Sequence, residues 1–278
     1  MTDTSTLTRE ATASVADQLQ ALHRASGLAP LKLGGKSLLP IVQGGMGVGI
    51  SAHRLAGTVA SLNAVGTISS VDLRRHHPDL MARTQDLPAG EQATQAAKQA
   101  INEANLEALS REIKAARAIA GDSGLLAMNI MRAVSEYGPA VKQALACGID
   151  MVVVGAGLPL DLPDLAQDHP NTLLVPILSD ARGIQLLVRK WERKKRLPDA
   201  IVIEHPRLAG GHLGAARISD LGDKRFDFEN AIPEALAFLR SAGIEKEIPL
   251  IAAGGIRNFE DIARVQSLGA AAVQLGTP

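Results

Sequence analysis

Eight short apolar runs, most of them ending on glycine or a polar residue and nearly all followed by a helical pattern, constrain this chain more than any other feature. The runs are "PIVQGG" (40–45), "AVGTISS" (64–70), "LLAMNI" (125–130), "MVVVGAG" (151–157), "TLLVPIL" (172–178), "AIVIEH" (200–205), "PLIAAGG" (249–255) and "AAVQLG" (271–276). They are strand-length and hardly alternate, as expected of parallel strands covered on both faces. Between them, stretches such as "SAHRLAGTVASLN", "NLEALSREIKAARAIAG" and "AIPEALAFLRSAG" have helical spacing, with Ser, Asn or Pro near the start and often Gly at the stop. Repeated strand–helix units with right-handed crossovers point to a (β/α)8 TIM barrel. A doubly wound open sheet is the rival, but eight consecutive units without a long break favour closure.

Composition agrees. Only four Phe, one Tyr and one Trp are present, so Ala, Leu, Ile and Val must build the core. So few aromatics offer no stacking platform for bases, and 29 basic against 29 acidic residues leave no charge excess toward nucleic acid or anionic lipid. The apolar runs fall short of the ~20 residues of a membrane helix, and the acid-bearing N-terminus lacks a secretory h-region. The single Cys147 excludes an internal disulfide framework and a cysteine-based metal cluster. A cytoplasmic protein without a metal site is the expectation.

Ahead of the barrel, residues to about Ser26 predict a helix, and "PLKLGGKSLLP" predicts a hairpin turning on Gly34-Gly35. Residues 1–36 are therefore read as an N-terminal helix and hairpin, and 37–278 as the barrel. Two irregularities interrupt it. A polar insertion, 71–103, follows the second strand; it either shapes the substrate entrance or is a solvated helical excursion. The chain also stops at "VQLGTP" with no eighth helix, which is read as a partial sequence or as a gap that a partner covers.

In such a barrel, function belongs to the loops after the strands, and the glycine clusters fall there: Gly44-Gly45-Met46-Gly47, Gly155-Ala156-Gly157, Gly210-Gly211, Gly254-Gly255 and Gly276-Thr277. So much bare backbone at one rim suggests a closely approaching ligand. Loops after strands seven and eight commonly hold a phosphate through backbone amides and a helix N-terminus, which suits "AAGGI" leading into "RNFEDIARV" and "QLGTP" with its Thr277 hydroxyl. "QGGMGVG" lacks the spacing of a dinucleotide fingerprint. His212, bracketed by glycines in "AGGHLG", is the candidate acid–base group.

"PIVQGGMG", "AGGHLG", "AAGGI" and "QLGT", in that order, resemble the nitronate monooxygenase family, formerly called 2-nitropropane dioxygenases, from about residue 30 to the end. The resemblance implies an FMN-dependent barrel enzyme. It sets Gly44, Gly45 and Met46 against the flavin ring, makes Asn129 a polar flavin contact, and brings Gly210 and Gly211 close to the cofactor. By the same likeness Gly254, Gly255, Gly276 and Thr277 hold the FMN phosphate, and His212 is the catalytic base. The implied reaction is oxidation of an alkyl nitronate with O2, giving a carbonyl compound and nitrite, with a small molecule and O2 as partners and room for a homo-oligomer. The insertion and the lead-in "HPRL" depart from the family's best-known members, which bears on the substrate. Alternatives are an NAD(P)H-consuming, FMN-dependent enoyl-acyl-carrier-protein reductase and a flavin-binding subunit without its own activity. A barrel like inosine monophosphate dehydrogenase needs a loop cysteine, whereas Cys147 falls late in a helical stretch.

Overall fold

The computed structural model describes residues 4–88, 90–210, 214–215 and 217–276. A long helix, α1 (Thr4–Ser26), leads into a hairpin of β1 (Leu31–Leu33) and β2 (Lys36–Leu38), which turns on Gly34 and Gly35, both at positive φ. The barrel strands follow: β3 (Ile41–Gln43), β4 (Val65–Ser69), β5 (Leu125–Met131), β6 (Met151–Gly155), β7 (Leu173–Leu178), β8 (Ile201–Glu204), β9 (Leu250–Ala253) and β10 (Ala272–Leu275). Every neighbouring pair is parallel, and β10 pairs back onto β3, with Val273 opposite Ile41, closing the barrel. The open-sheet rival is thereby excluded.

The helices alternating with these strands are α2 (His53–Ser61), α3 (Pro78–Thr84), α4 (Gln95–Ala120), α5 (Tyr137–Ala146), α6 (Leu162–Leu165), α7 (Ala181–Glu192), α8 (Phe228–Ser241) and α9 (Phe259–Ser267). Among the described residues no helix is long and apolar enough to cross a membrane.

Two apolar layers hold the barrel. The outer one lies between strands and helices and contains Ile68, Met128, Val152, Ile201, Ile203 and Trp191. The inner one fills the barrel with Val42, Val65, Ala127, Met151, Val153, Val202 and Ile251, and the hairpin's Leu31, Leu33 and Leu38 join it. A barrel of eight strands is filled by side chains, so its amino-terminal mouth must be stoppered by apolar groups. The hairpin does this. It is tied down by Lys36 Nζ, which donates to the Asp122 and Gly124 carbonyls at 2.6 and 2.7 Å.

The region after β4 is built differently from the sequence expectation. A 3-10 turn at Leu73–His76 and α3 pack inward through Leu73 and Leu80, both fully buried. α4 starts at Gln95, ten residues before the stretch "NLEALSREIKAARAIAG" suggested, because Thr94 caps it by accepting from the Ala97 amide at 3.2 Å. Residues 95–103 are thus part of a barrel helix, and the inserted element is 71–94. It is anchored by the buried Glu112 carboxylate of α4, which meets His53 Nδ1 at 2.8 Å and His77 Nε2 at 3.1 Å.

Candidate active site

The carboxyl ends of the strands form one rim, and the loop after β3 is the most constrained part of it. Ser51 is its pivot: its hydroxyl donates to the Gly44 carbonyl at 2.9 Å and accepts from the Met46 amide at 2.8 Å and from Gln43 Nε2 at 2.7 Å. Gln43 Oε1 in turn accepts from the Thr67 amide at 3.0 Å, tying the loop to β4. Gln43 and Ser51 are both buried. The glycines let the backbone wrap around this hydroxyl while keeping its outer face bare. A Cβ on Gly45 would lie 2.4 Å from Asn129 Cβ, and one on Gly49 would fall inside the His76 ring. The inserted element therefore reaches the β3 loop.

Across the rim, Gly254 and Gly255 follow β9 with φ of +103° and +71°, a conformation that L side chains rarely adopt. A Cβ on Gly255 would meet the Leu208 side chain at 2.8 Å. Among the described residues the amides of Gly255 and Ile256 have no hydrogen-bond acceptor. The helix N-terminus behind them is partly capped. Asn258 caps α9 by accepting from the Asp261 amide at 2.8 Å, and Asp261 accepts from the Arg257 amide at 3.0 Å. An anion here would meet the glycine-turn amides, with the exposed Arg257 side chain lining the same cavity.

These loops enclose a cavity of about 380 Å³, lined by Gly44, Gly45, Met46, Gly210, Gly254, Gly255 and Gly276 together with Glu204, Leu208, Arg257 and Gln274. A second space of about 470 Å³ shares Gly45, Met46 and Gly210 with it and adds Ser69, Val71, Asn129 and Met131. The two form a trough across the rim, within the size range of small-molecule sites. Eight of the eleven residues singled out in sequence line it: Gly44, Gly45, Met46, Asn129, Gly210, Gly254, Gly255 and Gly276. Gly211, His212 and Thr277 lie outside the described residues.

The glycines after β6 belong elsewhere. Ala156 and Gly157, with φ of +57° and +125°, line a separate cavity of about 520 Å³ with Leu158, Ile177, Ser179, Asp180, Gly214, Arg225 and Phe226. Glu204, the last residue of β8, borders both this cavity and the glycine-lined one. Burial alone pushes its carboxyl up to about 7 from an ordinary 4.5. Sequence reasoning passed over it, although one signal was present: a lone acid ends an otherwise apolar strand at the functional end of the barrel.

The chain of Gly44–Met46, Gly210, Gly254–Gly255 and Gly276 is a cradle of bare backbone that fits a flat ring at one end and an anionic group at the other. The Gly255 and Ile256 amides, left without partners among the described residues, suit the anionic end.

Comparison with known proteins gives the site a context. The family model described as nitronate monooxygenase matches residues 33–278. Among solved structures, a nitroalkane oxidase from Streptomyces ansochromogenes superposes with a TM-score of 0.60 at 19% identity, covering 91% of this chain and 67% of that one. FabK from Thermotoga maritima gives 0.57 at 22% identity, covering 85% and 57%. At these identities the likeness is one of fold. A phosphoribosyl imidazole-4-carboxamide isomerase from Haloarcula marismortui is 27% identical over 139 residues, 47% of this chain and 51% of its own. The counterpart from Haloquadratum walsbyi is 27% identical over 140 residues. The chain thus spans about half the length of the curated relatives it matches.

Proposed function

The chain belongs to the nitronate monooxygenase family, and from that premise we propose that it is a cytoplasmic flavin oxidoreductase that binds FMN in the glycine trough and oxidises alkyl nitronates. The observation that carries this reading is the cradle itself. Glycines from four strand ends converge on one cavity, two of them in a backbone conformation that side chains rarely adopt.

In this reading Gly44, Gly45 and Met46 pack against the ring, and the loop they form is held by Ser51 so that no rearrangement is needed on binding. Asn129 offers its amide to the polar edge of the ring from the adjoining space. Gly254, Gly255 and Gly276, with Thr277, take the phosphate. Arg257 adds a cation at the same cavity. When bound, the flavin supplies the two-electron oxidation, with O2 as the final acceptor and a carbonyl compound and nitrite as products. His212 serves as the base when a neutral nitroalkane is offered. Gly210 and Gly211 keep the cofactor side of that loop free of side chains.

Purified protein is expected to be yellow, with the absorption bands of oxidised flavin. Under anaerobic conditions a nitronate is expected to bleach them and NADH is not. Bleaching by NADH with no response to nitronate would replace this reading with an NAD(P)H-consuming reductase of the enoyl-acyl-carrier-protein type. A colourless protein that takes up no added FMN would end the flavin reading altogether.

A further inference from the structure

Glu204 has no role in the reading above, yet it stands on the border of both cavities. It closes β8, opposite Ala253 in the register and one residue from the Gly254 turn. Among the described residues no amide or side chain hydrogen-bonds to its carboxyl, and no cation pairs with it. Of the charged groups facing the two cavities, Arg225 and Asp180 are otherwise engaged. Arg225, across the larger cavity, lies 3.5 Å from Asp180, 3.5 Å from Asp223 and 3.6 Å from Asp220. Asp180 also caps α7 by accepting from the Gly183 amide at 2.8 Å. Arg257, on the other side, is largely exposed and has Asp261 at 4.0 Å. The neighbouring His205 points to Asp227 at 3.4 Å.

The larger cavity has the character of a substrate chamber. Leu158, Ile177, Leu178 and Phe226 give it an apolar wall, and Ser179, Asp180, Arg225 and Glu204 are its polar groups among the described residues.

We propose that Glu204 is a second acid–base residue of this site, taking the proton from the acidic carbon of a neutral substrate, such as a nitroalkane, held in the larger cavity. This rests on the flavin oxidoreductase reading. One Glu204 oxygen forms an O–H bond as the substrate C–H bond breaks. The C–H electron pair becomes the C=N bond of the nitronate, and the negative charge that leaves the carboxylate appears on the two nitro oxygens. Nothing else is consumed. A carboxyl that burial raises to about 7 is half ionised at neutral pH, which is where a base that must also let go of its proton works best. Glu204 thus gives proton removal a second route beside His212.

The test compares 2-nitropropane with its preformed nitronate in the FMN-loaded enzyme. Glu204→Gln keeps the volume and removes the base. It is expected to lower kcat/KM for 2-nitropropane about tenfold or more relative to kcat/KM for the nitronate. It should also diminish the rise in nitroalkane turnover centred near pH 7, leaving the part that His212 supplies. Glu204→Asp, an acid drawn back from the cavity, should restore a pH-dependent rise at a lower rate. A readout independent of turnover is the infrared carboxyl band of the cofactor-free protein. It should titrate near pH 7 in the wild type and be missing from Glu204→Gln. An unchanged substrate ratio and pH profile in Glu204→Gln, with an active wild type, overturns the role of Glu204 alone. So does a carboxyl already ionised at about pH 5. A wild type inert toward both substrates defeats the functional reading, and this proposal with it.

Discussion

Replacing Ser51 by alanine tests whether the β3 loop is rigid for the reason given. The hydroxyl is fully buried and joins three partners: the Gly44 carbonyl, the Met46 amide and Gln43 Nε2. In Ser51→Ala the Gly44 carbonyl and the Gln43 amide keep each other, since Gln43 Nε2 also donates to Gly44. The Met46 amide is left alone among the described residues. Three hydrogen bonds at about 1 kcal/mol each put the loss at about 3 kcal/mol. At roughly 2–4 °C per kcal/mol, Tm should fall by about 6–12 °C. Urea unfolding of the cofactor-free protein measures the loss. Ser61→Ala is the control, because its hydroxyl also donates one bond, to Thr58 at 2.8 Å, but at an exposed site. It should change stability by no more than about 0.5 kcal/mol. FMN affinity should fall in Ser51→Ala as well, because the loop must then be ordered on binding. A loss under about 1 kcal/mol, or one no greater than that of the control, refutes the argument that this hydroxyl holds the cradle.

Other expectations follow from the same geometry. Gly255→Ala forces a left-handed backbone on a side chain and drives its Cβ toward Leu208, so FMN affinity should drop about tenfold or more at a stability cost of about 1–3 kcal/mol; equilibrium dialysis against FMN measures the first. Glu112→Ala removes the carboxylate that holds His53 and lies against His77, and should cost about 2–3 kcal/mol while exposing 71–94 to limited proteolysis. Gly66→Ala places a Cβ 1.8 Å from the Ala56 carbonyl oxygen between α2 and β4, and should yield little soluble protein. Because burial raises the Glu204 carboxyl to about 7 from 4.5, its contribution to stability is full below about pH 4.5 and is lost as pH rises through 7, by roughly 3 kcal/mol. Urea midpoints of the wild type should fall over that window, and those of Glu204→Gln should lack that component.

Much of this protein was legible locally. Each barrel strand is an unalternated apolar run with a glycine or polar stop, a signal that needs no knowledge of its neighbours, so all eight were visible along with the hairpin at Gly34-Gly35. The start of α4 was missed because residues 95–104 are polar and Ala-rich, and only the Thr94 cap marks their beginning. Glycine clusters were equally plain. Their number told that backbone is bare at the rim, and the order of the strands told which end of the barrel carries them.

What the chain alone determined, then, is the barrel and the set of exposed glycines, since both follow from hydrophobic period and backbone freedom. Which glycines share a cavity was decided only by closure. Pairing β10 onto β3 brings Gly276 beside Met46, and pairing β9 onto β8 sets Gly254 against the backbone of 205–209, while Ala156 and Gly157 fall into a different space. Tertiary structure also pressed His76 onto Gly49. Above all it decided the state of Glu204. A glutamate in a sequence is an ordinary acid, and only the walls around this one take away the water that would keep it charged.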